Sequence, residues 1–245
     1  MSLTTAKFSE IVKRQFLFKL KANIDSYSSL TGIQVLAILF SFGGVASGGF
    51  GTDWIDINVH YFSADIVIAF TMLWSFTTAI TITKKAYWSM DFSFVSNRLS
   101  SNVSNVLFLL TASLLGGITS MLASYLIRTV LALFFDYKFY SLSTSYGNLL
   151  LGIGIATLYI FCTGAIGYLI GSLIQWNRIF VFFLVVLFIG LLFTSSFMEE
   201  SFFTFVFQFY FRESSIGAFL LKIIFTTVLF FIPSFSLQNR MEVKR

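Results

Sequence analysis

The sequence predicts an all-helical integral membrane protein, in which an N-terminal amphipathic helix precedes six transmembrane helices. Only 11% of the 245 residues are charged, whereas water-soluble domains carry roughly 25%. Aromatic residues make up 19%, with 33 Phe, and the mean hydropathy is +0.85. Too few polar groups are present to cover the surface, so lipid must surround most of the chain. Helices are expected, because lipid cannot satisfy an open backbone.

The first element predicted is an amphipathic helix over residues 4–22. Its apolar face carries Phe8, Ile11, Val12 and Phe16, and basic residues occupy the other face. Leu17 and Lys19 break this pattern. Such a helix is typical of the membrane interface, although a helix packed on the cytoplasmic side of the protein would have the same pattern.

Long intervals between the charged clusters predict the membrane spans. Each can hold about 20 apolar residues, the length that crosses a bilayer. The six predicted spans are residues 30–49, 62–82, 104–127, 148–173, 179–197 and 215–237. The sixth contains Lys222. An ionisable group in a span is a candidate for a transport pathway, unless its side chain reaches the interface.

Lys and Arg counts predict the orientation of these spans. With a cytoplasmic N-terminus, the inner segments hold 12 of the 16 basic residues and the outer segments three. Because inner loops are enriched in Lys and Arg, both termini of this multi-pass chain should lie in the cytoplasm. The net charge of +5 follows from this asymmetry and from attraction to lipid headgroups, so no nucleic-acid partner is expected.

Pairs of glycines four residues apart occur in two predicted spans. Gly44 and Gly48 lie in the first, and Gly167 and Gly171 lie in the fourth. This spacing lets helices approach closely. The pairs indicate helix packing, either within the chain or at a subunit interface.

The segment 84–103, between the second and third spans, combines charge with large apolar side chains. A loop without a partner would not normally present so many. This favours a docking element for a cytoplasmic partner, although aromatic anchors at the headgroup level would look alike. The candidate contact residues are Tyr87, Trp88, Asp91, Phe92, Phe94 and Arg98.

The segment 198–214, between the fifth and sixth spans, is rich in Phe and has acidic residues at both ends. It is too short to cross a bilayer as a helix, and a lone strand in lipid would leave its backbone unpaired. The segment is therefore predicted to be a re-entrant or interfacial helical hairpin on the outer side. Its candidate gating residues are Glu199, Glu200, Phe205, Phe207 and Phe209.

Residues for catalysis or metal binding are scarce. Cys162 is the only Cys and His60 the only His, and no G-x-S-x-G, H-E-x-x-H or nucleotide-binding P-loop pattern occurs. The chain is therefore not expected to be an enzyme or to hold a cofactor.

This order of elements resembles the permease subunit of an ATP-binding-cassette exporter of the second type, a family that includes bacterial peptide, lantibiotic and polysaccharide exporters. The segment from Lys84 to Ser100, KKAYWSMDFSFVSNRLS, is similar to loops of small permeases in that family. The resemblance implies a soluble ATPase partner that holds ATP and Mg, a second permease chain, and a location in the cytoplasmic membrane.

In that family setting, residues 84–103 would transmit ATP-driven movement and the outer hairpin would gate the path. The apolar spans suit an amphipathic peptide or lipid-like cargo. The alternative is a membrane sensor or immunity protein that binds without transport.

Overall fold

A computed structural model describes residues 7–52, 55–84, 87, 97–135, 146–197, 202–213 and 215–240. These residues form eight helices and one antiparallel pair of strands. The elements in chain order are α1 (Phe8–Ala22), α2 (Ile24–Ser41), β1 (Ala46–Thr52), β2 (Ile55–Tyr61), α3 (Asp65–Ile82), α4 (Arg98–Phe134), α5 (Tyr146–Trp176), α6 (Ile179–Phe197), α7 (Phe202–Phe211) and α8 (Ile216–Arg240).

Four helices, α3, α4, α5 and α8, are long and apolar enough to cross a membrane. They coincide with the second, third, fourth and sixth predicted spans and mark the chain as a membrane protein. The 37 residues of α4 extend over about 55 Å at 1.5 Å per residue. Since a hydrocarbon core is about 30 Å thick, α4 must project beyond it.

The fifth predicted span, 179–197, has the same bounds as α6. None of its described side chains is buried, and Phe182, Val186 and Phe193 are each more than 60% exposed. The part of α6 whose side chains are described, Ile179–Phe193, is shorter than α3, α4, α5 and α8. A helix that is apolar on every side requires a non-aqueous environment.

The first predicted span, 30–49, is wrong at its C-terminal end. The helix α2 stops at Ser41, and the chain then forms the hairpin of β1 and β2, paired from Ala46 with Tyr61 to Thr52 with Ile55. Glycine is a poor helix former, and Gly44 has a φ of +82° at the turn after α2. That left-handed conformation is open to glycine but costly for other residues.

The assignment of Gly44 and Gly48 to helix packing is therefore corrected. Gly44 follows α2, and Gly48 lies within β1, where an added Cβ would meet nothing within 4 Å. A spacing of four residues places two glycines on the same face only where the backbone is helical.

The second pair, Gly167 and Gly171, lies where α5 crosses α3. An added Cβ at Gly167 would be 3.0 Å from Phe76 Cα, and one at Gly171 would be 3.1 Å from Ile80 Cα. These glycines allow the two backbones to approach more closely than larger side chains would permit. Both pack within the chain.

The core lies around α3, α4 and α5. One buried cluster joins these helices to α8 through Phe108, Tyr168 and Phe231. A second joins α2, α3 and α4 through Ala37, Val67 and Ile127. Because α3 and α4 belong to both clusters, they connect the two ends of the bundle.

The segment 198–214 contains one ten-residue helix, α7. The helical prediction agrees with this, whereas a second arm of a hairpin is not seen in its described residues, 202–213.

Candidate functional site: a buried polar network at the α1 end

Buried polar side chains gather at one end of the bundle, where α1, the start of α4 and the last turns of α5 and α8 meet. We call this the α1 end. It contains Lys19, Ser101, Asn102, Asn105, Tyr168, Ser172 and Gln238, all of which are buried. Buried polar groups cost free energy unless they are hydrogen-bonded, so their mutual contacts determine what this end of the bundle can do.

The helix α1 packs against α4 through a face formed by Val12, Gln15 and Lys19. Lys19 Nζ donates to the Ser101 carbonyl oxygen at 3.1 Å and to Ser101 Oγ at 3.3 Å. It also donates to Asn105 Oδ1 at 2.5 Å. Three acceptors match the three protons of a lysine ammonium group. Lys19 therefore joins α1 to α4 in the manner of a satisfied buried cation.

From Asn105 the network continues to the other helices. Asn105 Nδ2 donates to the Tyr168 hydroxyl at 3.1 Å. That hydroxyl has two acceptors for its proton, Gln238 Oε1 at 3.0 Å and Asn102 Oδ1 at 3.3 Å. Gln238 Nε2 in turn donates to Ser172 Oγ at 2.9 Å. One continuous chain of hydrogen bonds thus connects α1, α4, α5 and α8.

The members of this network bind one another. The cleft beside it is small and is lined partly by the apolar side chains of Phe18, Ile82 and Phe108. Among the described residues, no group of three His, Cys, Asp or Glu is arranged as metal ligands would be. The arrangement is suited to holding four helices in register.

The predicted docking segment, 84–103, ends within this network, through Ser101 and Asn102. Its last six residues belong to α4 rather than to a loop, since α4 begins at Arg98. Arg98 Nη1 donates to the carbonyl oxygen of Asn239 in α8, and Tyr87 lines the cleft beside Lys19. The candidate residues Trp88, Asp91, Phe92 and Phe94 lie outside the described part of the chain.

At the opposite end of the bundle, Lys222 connects α8 to the segment before it. Its ammonium group pairs with the carboxylate of Glu213 and lies 4.4 Å from the ring centroid of Phe209. Phe205 stacks on Phe209 at 6.3 Å, whereas the Phe207 ring is 60% exposed. The predicted gate residues Glu199 and Glu200 are not among the described residues.

The helix α7 is also held by α5. The Tyr159 hydroxyl donates to the Tyr210 carbonyl oxygen at 2.6 Å, and the Tyr159 ring stacks on Phe211 with centroids 4.9 Å apart. Burial raises the pKa of the Tyr210 phenol above its usual value. The structure thus brings Lys222 together with Phe209 of the predicted gate.

Sequence reasoning did not identify the network at the α1 end. Its one signal was Lys19, which interrupts the amphipathic pattern of α1. Asn102, Asn105 and Gln238 carried no motif, because their partners are more than 60 residues away in the chain.

Comparison with protein-family models, with curated proteins and with solved structures finds no match to this chain. The fold and the site define a helical membrane protein whose helices are joined by a buried polar network. Its function must be argued from that geometry.

Proposed function

We propose that this chain is the permease subunit of an ATP-driven exporter, with ATP hydrolysed by a soluble partner subunit. The observation that carries the proposal is that the first turns of α4, which directly follow the segment between α3 and α4, belong to the polar network. A partner that moves this segment acts on Arg98 and the first turns of α4, which are connected to α1, α5 and α8. Movement applied at one place would therefore reach four helices together.

The proposed topology has six spans with both termini in the cytoplasm. In addition to the four long apolar helices, α2 and α6 serve as the first and fifth spans. The α1 end then faces the cytoplasm, where a soluble ATPase is available, and the β1–β2 hairpin and α7 face outwards. A second permease chain completes the path, in agreement with the family resemblance.

The outer helix α7 is proposed as the gate. Its C-terminal half contacts Tyr159 of α5 and, through Phe209, Lys222 of α8. Lys222 also pairs with Glu213, two residues after the end of α7. Phe205 and Phe207 remain mostly exposed. Apolar cargo, such as an amphipathic peptide or a lipid-like molecule, suits these aromatic surfaces better than a sugar or an ion does.

Co-purification tests the proposal. The tagged chain is isolated from its native membrane in mild detergent, its companions are identified by mass spectrometry, and ATP hydrolysis is measured. An ATP-binding-cassette ATPase should accompany the wild-type chain. The double variant Phe92→Asp with Phe94→Asp should lose it, because buried aromatic residues commonly dominate such interfaces.

The control is Phe205→Ser with Phe209→Ser, which changes two Phe at the opposite end of the bundle. This variant should keep the ATPase but change export, or uncouple ATP hydrolysis from it. A wild-type chain that is isolated without an ATPase would contradict the exporter proposal and favour a membrane sensor or immunity protein. Normal export by the Phe205/Phe209 variant would contradict the role of α7 as a gate.

A further inference from the structure

The C-terminal end of α1 continues into α2 through a break in the helix. One residue, Asn23, separates α1 from α2, with φ −104° and ψ 32°. Its side-chain amide donates to the Lys19 carbonyl oxygen at 2.9 Å and so ends α1. A single non-helical residue can change the direction of a whole helix through its two backbone dihedrals.

Two side chains on the docked face of α1 have opposite effects on docking. Lys19 has acceptors for all three of its protons on α4. Gln15, one turn earlier, is only 2% exposed, yet neither its amide oxygen nor its amide nitrogen has a hydrogen-bond partner among the described residues. An unsatisfied buried amide disfavours the state that buries it. One face of α1 thus carries a residue that favours docking, Lys19, and a residue that disfavours it, Gln15.

We propose that α1 is a releasable clasp, which docks on α4 through Lys19 and undocks by rotation about Asn23. The buried Gln15 keeps the docked state from becoming permanent, because undocking returns its amide to water. Undocking also uncovers Ser101 and Asn105 at the start of α4. This inference concerns the chain alone and does not depend on the exporter proposal.

Hydrogen exchange tests the clasp, because the exchange of α1 amides reports the undocked population. The full chain in nanodiscs is compared with three variants, each replacing a long side chain by Met. Gln15→Met should slow exchange across residues 8–22 by roughly fivefold or more, since it removes the unsatisfied amide. Lys19→Met should accelerate it by at least about tenfold, because acceptors on Ser101 and Asn105 lose their donor.

Lys13→Met is the matched control, since Lys13 lies on the exposed side of the same helix, and it should change exchange by less than about twofold. Peptides from α5 provide the internal reference for global stability. Faster α1 exchange in Gln15→Met would overturn the proposal, because it would mean that the amide stabilises docking. Unchanged exchange in Gln15→Met or in Lys19→Met would overturn it as well, because neither residue would then control docking.

Discussion

At the scale of single residues, the main feature of the chain is a set of buried polar side chains that form hydrogen bonds between helices. Lys19, Asn105, Tyr168 and Gln238 are all buried, and each satisfies a neighbour on another helix. A net contribution of about 0.5–1.5 kcal/mol is typical of one such hydrogen bond, whereas an unpaired buried partner costs about 1–3 kcal/mol. Loss of one member should therefore weaken the whole α1 end.

Tyr168→Phe is the sharpest test at this scale. The Tyr168 side chain is fully buried, and its hydroxyl is shared by Asn105, Asn102 and Gln238. The substitution should reduce the free energy of unfolding by about 1–3 kcal/mol, because at least one buried amide loses its partner. Thermal unfolding of the purified chain in detergent provides the measurement.

The control for this experiment is Tyr146→Phe, which removes a hydroxyl from a side chain that is 90% exposed. It should unfold like the wild-type chain. An equal effect of both substitutions would mean that the network does not stabilise the bundle.

At the scale of elements, the contact of α5 with α3 depends on small residues. Three glycines of α5, Gly164, Gly167 and Gly171, lie against α3, and an added Cβ at Gly164 would be 2.7 Å from Ser75 Oγ. In lipid, the hydrophobic effect does not drive helices together. Close packing of this kind is therefore a main source of helix association.

Gly167→Ala should destabilise the bundle. The added methyl group would meet the Phe76 backbone, which cannot move aside as a flexible side chain could. Overpacking of this kind typically costs about 1–3 kcal/mol, which exceeds the gain of up to about 1 kcal/mol expected for Ala in a helix. A lower unfolding temperature is the expected result.

Gly154→Ala is the matched control in the same helix, because a Cβ at Gly154 would meet nothing within 4 Å. Here helix propensity acts alone, and the substitution should leave the unfolding temperature unchanged or raise it. If the two variants behave alike, Gly167 is not a contact residue in the membrane.

At the scale of the whole molecule, the membrane topology determines which end of the bundle faces the cytoplasm. Single cysteines in a Cys162→Ser background can be labelled in intact cells with an impermeant thiol reagent. Asn97 and Lys21 are exposed residues at the α1 end, whereas Ser47 in β1 and Tyr146 at the start of α5 are exposed at the other end. Cysteine should react at Ser47 and Tyr146 and resist at Asn97 and Lys21.

Permeabilised cells serve as the control, since all four positions should react there. Ser100, although it belongs to the predicted docking segment, is unsuitable for labelling, because its side chain is fully buried. Labelling of Lys21→Cys from outside would mean that the orientation is the reverse of the proposed one. The polar network would then face away from any cytoplasmic ATPase.

The amino-acid sequence by itself determined the class of this protein and most of its helices. Composition identified lipid as the surrounding medium, and uncharged intervals located α3, α4, α5, α6 and α8 within several residues. These properties are local, because hydropathy and charge spacing belong to contiguous residues. The ends of α4 were missed, since a helix can continue beyond the bilayer into charged sequence.

Only the tertiary structure decided where the polar groups meet and what the glycines do. Gly44 and Gly48 have the same spacing as Gly167 and Gly171, yet one pair lies in a turn and a strand and the other in a helix interface. Lys19 finds Asn105 across 86 residues of chain. Contacts of this kind depend on how the helices pack in three dimensions, which no local pattern in the sequence records.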